Sequence, residues 1–98
     1  MTENDVVVTA TIEAVPGKEV ELAEALRTLC EATVREPGCR MFQVMRVRGQ
    51  PGVFVLWEHF ADQAAFDAHM AMEHTKAYFA RGLARETRPV RHEPLFAA

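Results

Sequence analysis

Val53-Phe54-Val55-Leu56-Trp57-Glu58-His59-Phe60 carries the pattern on which the fold turns. The run is short and rich in β-branched and aromatic residues, which marks a strand. Strand side chains alternate between two faces, so Phe54, Leu56 and Phe60 fall on one side and Val53, Val55 and Trp57 on the other. Both sides are apolar. Helices of one chain can cover only one of them, and a second copy of the same sheet is the economical cover for the other. The expectation is a homodimer with sheets packed face to face.

Immediately upstream, Arg48-Gly49-Gln50-Pro51-Gly52 reads as a turn, with Pro51 and Gly52 suited to the centre of a type II turn. It joins the strand to another, Cys39 to Val47, as a hairpin. Further upstream, Val6 to Ala14 (VVVTATIEA) is a β-branched strand closed by Pro16-Gly17. Lys18 to Arg35 repeats Leu22, Leu26, Leu29 and Thr33 at helical spacing, and Pro37-Gly38 stops it. Downstream, Asp62 is placed to cap a short helix, Gln63 to Met70, and a further helix is expected over Glu73 to Arg85. A last strand, Val90 to Phe96, is interrupted by Pro94, which puts it at a sheet edge. The order β-α-β-β-α-α-β is two split βαβ units. It predicts an α+β, ferredoxin-like fold with one antiparallel sheet and helices on one face.

The 98 residues suit one domain, residues 1–98 with a core from about 6 to 95. A net charge of −3 with no basic run argues against nucleic acid. No apolar stretch reaches the ~18 residues of a membrane span. The start, Met1-Thr2-Glu3-Asn4-Asp5, is acidic, unlike a signal peptide. Cys30 and Cys39 have no metal or redox spacing, so a reduced cytoplasmic protein is expected.

Few polar groups interrupt the apolar segments: Glu58, His59, His69, His74, Tyr78 and His92. Phe66 and His69 are three apart, and His74 and Tyr78 four apart, so each pair shares a helix face. Converging at one end of a cavity between helices and sheet, these groups would form a small-ligand site. Each also has a plain structural reading: Glu58 as a cross-strand partner of Arg46, Trp57 as core or dimer contact, Tyr78 and Phe79 as packing, and Cys39 as an inert thiol. His69 and His74 are five apart across a helix break, which is no chelating spacing, so no metal is expected. No GxGxxG or P-loop is present, so no nucleotide cofactor is expected.

Glu36-Pro37-Gly38-Cys39, Phe54 to Phe60, Ala61-Asp62-Gln63-Ala64-Ala65-Phe66-Asp67-Ala68-His69 and Glu73-His74-Thr75-Lys76-Ala77-Tyr78-Phe79 together resemble the antibiotic biosynthesis monooxygenase family. Val15-Pro16-Gly17-Lys18-Glu19 after the first strand fits as well. The resemblance covers about Val6 to Leu95 and implies a dimeric α/β barrel of two ferredoxin-like protomers. It implies several activities: cofactor-independent oxygenation of polycyclic aromatics, quinol oxidation, haem degradation and isomerase-like chemistry. The haem degraders' Asn, Trp and His positions fall near Val8, His69 and Phe79, and none matches. The family's recurrent strand Glu and two helix histidines match Glu58, His69 and His74.

The reading is a cofactor-independent monooxygenase acting with O2 on a hydroquinone-like or polycyclic aromatic. The alternative is a non-catalytic or isomerase-type small-ligand-binding dimer on the same fold. His74 or His69 is the expected base, since a neutral imidazole suits that task near pH 7. His74 is favoured by its place in a helix's first turn, where the dipole disfavours the imidazolium. Tyr78 and Glu58 are the expected hydrogen-bonding groups, and Trp57, Phe66 and Phe79 the apolar wall. The expected partners are a small aromatic substrate, O2 and a second copy of the chain, with no nucleic acid and no membrane.

Overall fold

The computed structural model describes residues 2–98; Met1, part of the acidic start, lies outside them. The elements run β1 (Val6–Ala14), α1 (Glu19–Thr33), β2 (Cys39–Arg46), β3 (Val53–Phe60), α2 (Gln63–Ala71), α3 (Glu73–Ala80) and β4 (Ala84–His92). The four strands form one antiparallel sheet in the order β2-β3-β1-β4. This is the expected ferredoxin-like arrangement, with β1 and β3 central. Among the described residues no helix is long and apolar enough to cross a membrane.

Alternation along the central strands sets the layers. Val6, Val8, Ala10, Ile12 and Ala14 of β1 are buried, as are Phe54, Leu56, Glu58 and Phe60 of β3. Leu22, Leu26 and Leu29 of α1 pack on this face, their spacing giving the helix one apolar stripe. At ~25 cal/mol per Å² of apolar surface, burying such a leucine contributes roughly 1.5–3 kcal/mol. The opposite face of the sheet is uncovered in the single chain: Trp57, Met45 and Val90 are 42–52% exposed.

Two boundaries differ from the sequence expectation. The last helix ends at Ala80, not Arg85, because Gly82 takes a left-handed backbone (φ 59°) and turns the chain back. The last strand then runs over Ala84–His92, pairing Ala14 with Ala84 and Val7 with His92, so Pro94 lies beyond it. The proline inside β4 is Pro89, tolerated because β4 is an edge strand. The hairpin also departs from expectation. The Gln50 N–H bonds to the Val47 carbonyl and the Val53 N–H to the Gln50 carbonyl, forming two successive turns. The left-handed residue is Gly49 (φ 82°), not Gly52, so Pro51-Gly52 does not form a type II turn.

The α1–β2 loop is tied down at Gly38. A Cβ added there would overlap Ala65 of α2, and the Gly38 carbonyl accepts the Ala61 N–H at 2.8 Å. Asp62 caps α2 as expected, its Oδ1 accepting from the Ala65 N–H at 2.8 Å. Gly38→Ala is therefore expected to destabilise the fold by about 1–3 kcal/mol through overpacking, read from urea melts. An unchanged midpoint would show that the loop does not need this close approach.

Candidate functional site

Between the inner sheet face and helices α2 and α3 lies an apolar cavity of about 180 Å³. Val8, Ala10, Phe42 and Leu56 form its sheet side, and Phe66, Met70 and Phe79 its helix side. Five polar side chains line it: Glu58, His69, Thr75, Tyr78 and, from β4, Thr87.

Each arrives there for a local reason. Glu58 occupies an inward position of β3, because the alternation that buries Leu56 and Phe60 also buries residue 58. Its cross-strand neighbours are Phe42 and Val8, while Arg46 lies opposite Phe54 and stacks on that ring at 5.2 Å. Arg46 is therefore not its partner. Burial raises the Glu58 carboxyl from 4.5 to about 7. His69, on α2 one turn after Phe66, is 3% exposed. It sits among Phe60 (ring centroids 4.9 Å apart), Phe42 (5.6 Å) and Phe66 (6.4 Å). Its Nε2 lies 3.9 Å from Glu58 Oε1. Tyr78 projects from α3 with its hydroxyl buried and without a hydrogen-bond partner among the described residues. Burial pushes its hydroxyl up to about 12, so it is a donor awaiting an acceptor.

Five of the expected site residues thus line one cavity: Glu58, Phe66, His69, Tyr78 and Phe79. His74 does not line it. Its Nε2 bonds at 2.6 Å to Glu36 Oε2, and the same oxygen lies 2.9 Å from His69 Nδ1. Trp57 is a correction to the expected wall. The alternation that turns Glu58 inward turns Trp57 outward, opposite Thr9 and Gln43 on the uncovered face. His59 and His92 also stand apart from the cavity, bonded to Asp5 and Thr9.

Glu36 was not singled out as a site residue from the sequence. The sequence marks it only as part of a Glu-Pro-Gly stop, and its partners lie 33 and 38 residues further along the chain. The two histidines, whose five-residue separation across a helix break is no chelating spacing, meet through it. Ligand atoms of Glu36, His69 and His74 all lie within 4.8 Å of one another, so among the described residues this trio could hold a metal. The 2.6 and 2.9 Å N···O spacings are those of hydrogen bonds. Cys39, held near 11 mainly by burial, is not an activated thiol.

The antibiotic biosynthesis monooxygenase family model matches residues 5–81. The chain belongs to the antibiotic biosynthesis monooxygenase family. Among solved structures, it is similar to a protein from Pseudomonas aeruginosa at 27% identity and TM-score 0.90, covering 98% of this chain and 99% of that one. A protein from Shewanella oneidensis matches at 28% identity and TM-score 0.90, over 98% of this chain and 96% of that one. A structure named as an antibiotic biosynthesis monooxygenase matches at 27% identity and TM-score 0.85, over 92% of this chain and 98% of that one. No curated protein matches the chain. Monooxygenase is the activity named in the family's description and in the last of these structures.

The raised Glu58 carboxyl has a consequence for stability. The folded state binds this proton more tightly than the unfolded chain, so the contribution is complete below pH 4.5 and is lost as pH rises to about 7. At 1.36 kcal/mol per pH unit the loss is on the order of 3 kcal/mol. Glu58→Gln is expected to flatten this slope, gaining on the parent chain at pH 8 relative to pH 5 in urea melts. Parallel pH profiles for the two proteins would show that Glu58 is ionised when folded.

Proposed function

We propose that this family member is a cofactor-independent monooxygenase that oxidises a hydroquinone-like aromatic of one ring with O2. The observation that carries the reading is His69, a buried imidazole whose Nε2 edge faces an apolar cavity beside Glu58. Cavity size separates the two substrate classes. A cavity of ~150 Å³ takes a benzene, so about 180 Å³ suits a single substituted ring and is small for a polycyclic one.

The substrate serves as its own reductant. His69 Nε2 takes a phenolic proton, and the resulting anion passes electrons to O2. A C–O bond forms at a ring carbon and the O–O bond then breaks. One oxygen leaves as water and the other stays on the ring. A hydroquinone and O2 thus give a hydroxyquinone and water, with no external electron donor. Glu58, neutral below about pH 7, donates a hydrogen bond to the reacting oxygen. The unpartnered Tyr78 hydroxyl donates to a second oxygen on the ring. The apolar walls exclude water from the anion.

Oxygen consumption with a panel of substituted hydroquinones tests the reading. His69→Ala is expected to lower kcat by ~10²-fold or more. Turnover is expected to survive EDTA; loss restored by a defined metal would make Glu36, His69 and His74 a metal centre instead. Hydroquinone binding with no oxygen uptake would favour the alternative, a ligand-binding or isomerase-type protein.

The working unit of this reading is a homodimer joined through the outer sheet face. Trp57, Met45 and Val90 are exposed on that face in the single chain, and a matching apolar sheet is the cover that fits them. Light scattering at micromolar concentration is expected to give twice 11.0 kDa, and Trp57→Glu to shift the protein toward monomer. A monomeric parent chain at that concentration would refute the dimer.

A further inference from the structure

We propose that Glu36 is the positioning residue for the base: it fixes His69 in the tautomer whose Nε2 lone pair faces the cavity, and His74 steadies Glu36 as its second donor. The proposal rests on reading His69 as the base.

The carboxylate lies on the α1–β2 loop and is 8% exposed. A buried charge is costly unless it is paired. Here a single oxygen, Oε2, faces His69 Nδ1 at 2.9 Å and His74 Nε2 at 2.6 Å. An ionised carboxylate can only accept, so each of these nitrogens carries a hydrogen and donates. A neutral imidazole that donates from Nδ1 has no hydrogen on Nε2. The His69 atom on the cavity side is then the acceptor a base requires. Without the carboxylate, the ring is free to place its proton on Nε2 and donate it toward Glu58, which leaves nothing to receive the substrate proton.

The surroundings support this assignment. Glu36 is held from its own backbone: its N–H bonds to the Thr33 carbonyl and its carbonyl accepts the Cys39 N–H, both at 3.0 Å. Gly38 then seats the loop against α2. The polar and titratable groups around His69 are Glu36 from the loop, Glu58 from β3, and Thr75 and His74 from α3. The Cys39 thiol, neutral, lies within the field of both carboxyls. Thr75 Oγ1, at 3.5 Å from His69 Nδ1, is at the outer limit of a hydrogen bond, which leaves Glu36 as that nitrogen's principal partner. The other aromatic rings close to His69 are hydrocarbon and offer no competing acceptor.

Two measurements on the full-length chain test the assignment. Long-range 1H–15N correlation spectra of 15N-labelled protein at pH 8 are expected to show His69 protonated at Nδ1, and Glu36→Gln to shift it to Nε2 or to a mixture. In hydroquinone-dependent oxygen uptake, Glu36→Gln is expected to lower kcat by up to ~10⁴-fold, the size of loss a wrong-tautomer histidine causes, with KM changed only a few-fold. Glu36→Asp, which keeps the charge, is expected to restore part of the rate. An Nε2–H tautomer in the parent protein overturns the proposal, and so does an unchanged tautomer in a folded Glu36→Gln. Stoichiometric binding of added Zn²⁺ or Fe²⁺ that abolishes both histidine N–H signals also overturns it. If no hydroquinone supports oxygen uptake, the functional reading fails, while the spectra still decide whether Glu36 sets the His69 tautomer.

Discussion

The burial of one carboxylate, Glu36, organises the helical side of this molecule. Its Oε2 joins the loop after α1 to His69 on α2 and His74 on α3. These helices are short, nine and eight residues, and such segments are marginal when isolated. The shared oxygen holds the two together at their buried ends. Close approach at Gly38 and the Asp62 cap fix the same corner from the backbone side. The sheet supplies a floor and carries Glu58, and this corner fixes where His69 stands above it.

Most of the architecture could be read from periodicity. Alternation in Val53 to Phe60 separated an inward from an outward face, and the structure has those faces with Phe54, Leu56 and Phe60 buried. The leucine spacing of α1 and the capping role of Asp62 were equally readable. The C-terminal strand was readable in existence but not in its bounds, since the expected Val90 to Phe96 overlaps only the end of Ala84–His92. Ala-Arg-Glu-Thr-Arg-Pro-Val-Arg-His is polar because an edge strand with most side chains exposed has little need of apolar alternation, so its sequence resembles a helix end.

The site was legible in part, for a different reason. Residue types and helical spacing pointed to Glu58, His69 and Tyr78, which line the cavity. They could not separate His69 from His74, because both lie on short helices and only packing decides which ring turns inward. They also could not reveal Glu36, whose partners are 33 and 38 residues away in the chain. Trp57 shows the opposite error: its chemistry suits an aromatic wall, but strand parity assigns it to the other face.

The same burial that shapes the cavity also protects the sulfur chemistry. Cys30 and Cys39 are partly buried, and both thiols are shifted upward, Cys39 to about 11. Thiolate, not thiol, is the form that attacks peroxide, and the upward shifts keep both sulfurs in the thiol form near neutral pH. The chain belongs to a family named for monooxygenase chemistry. Its two cysteines are buffered against the first step of the oxidation ladder by the packing that makes them part of the fold.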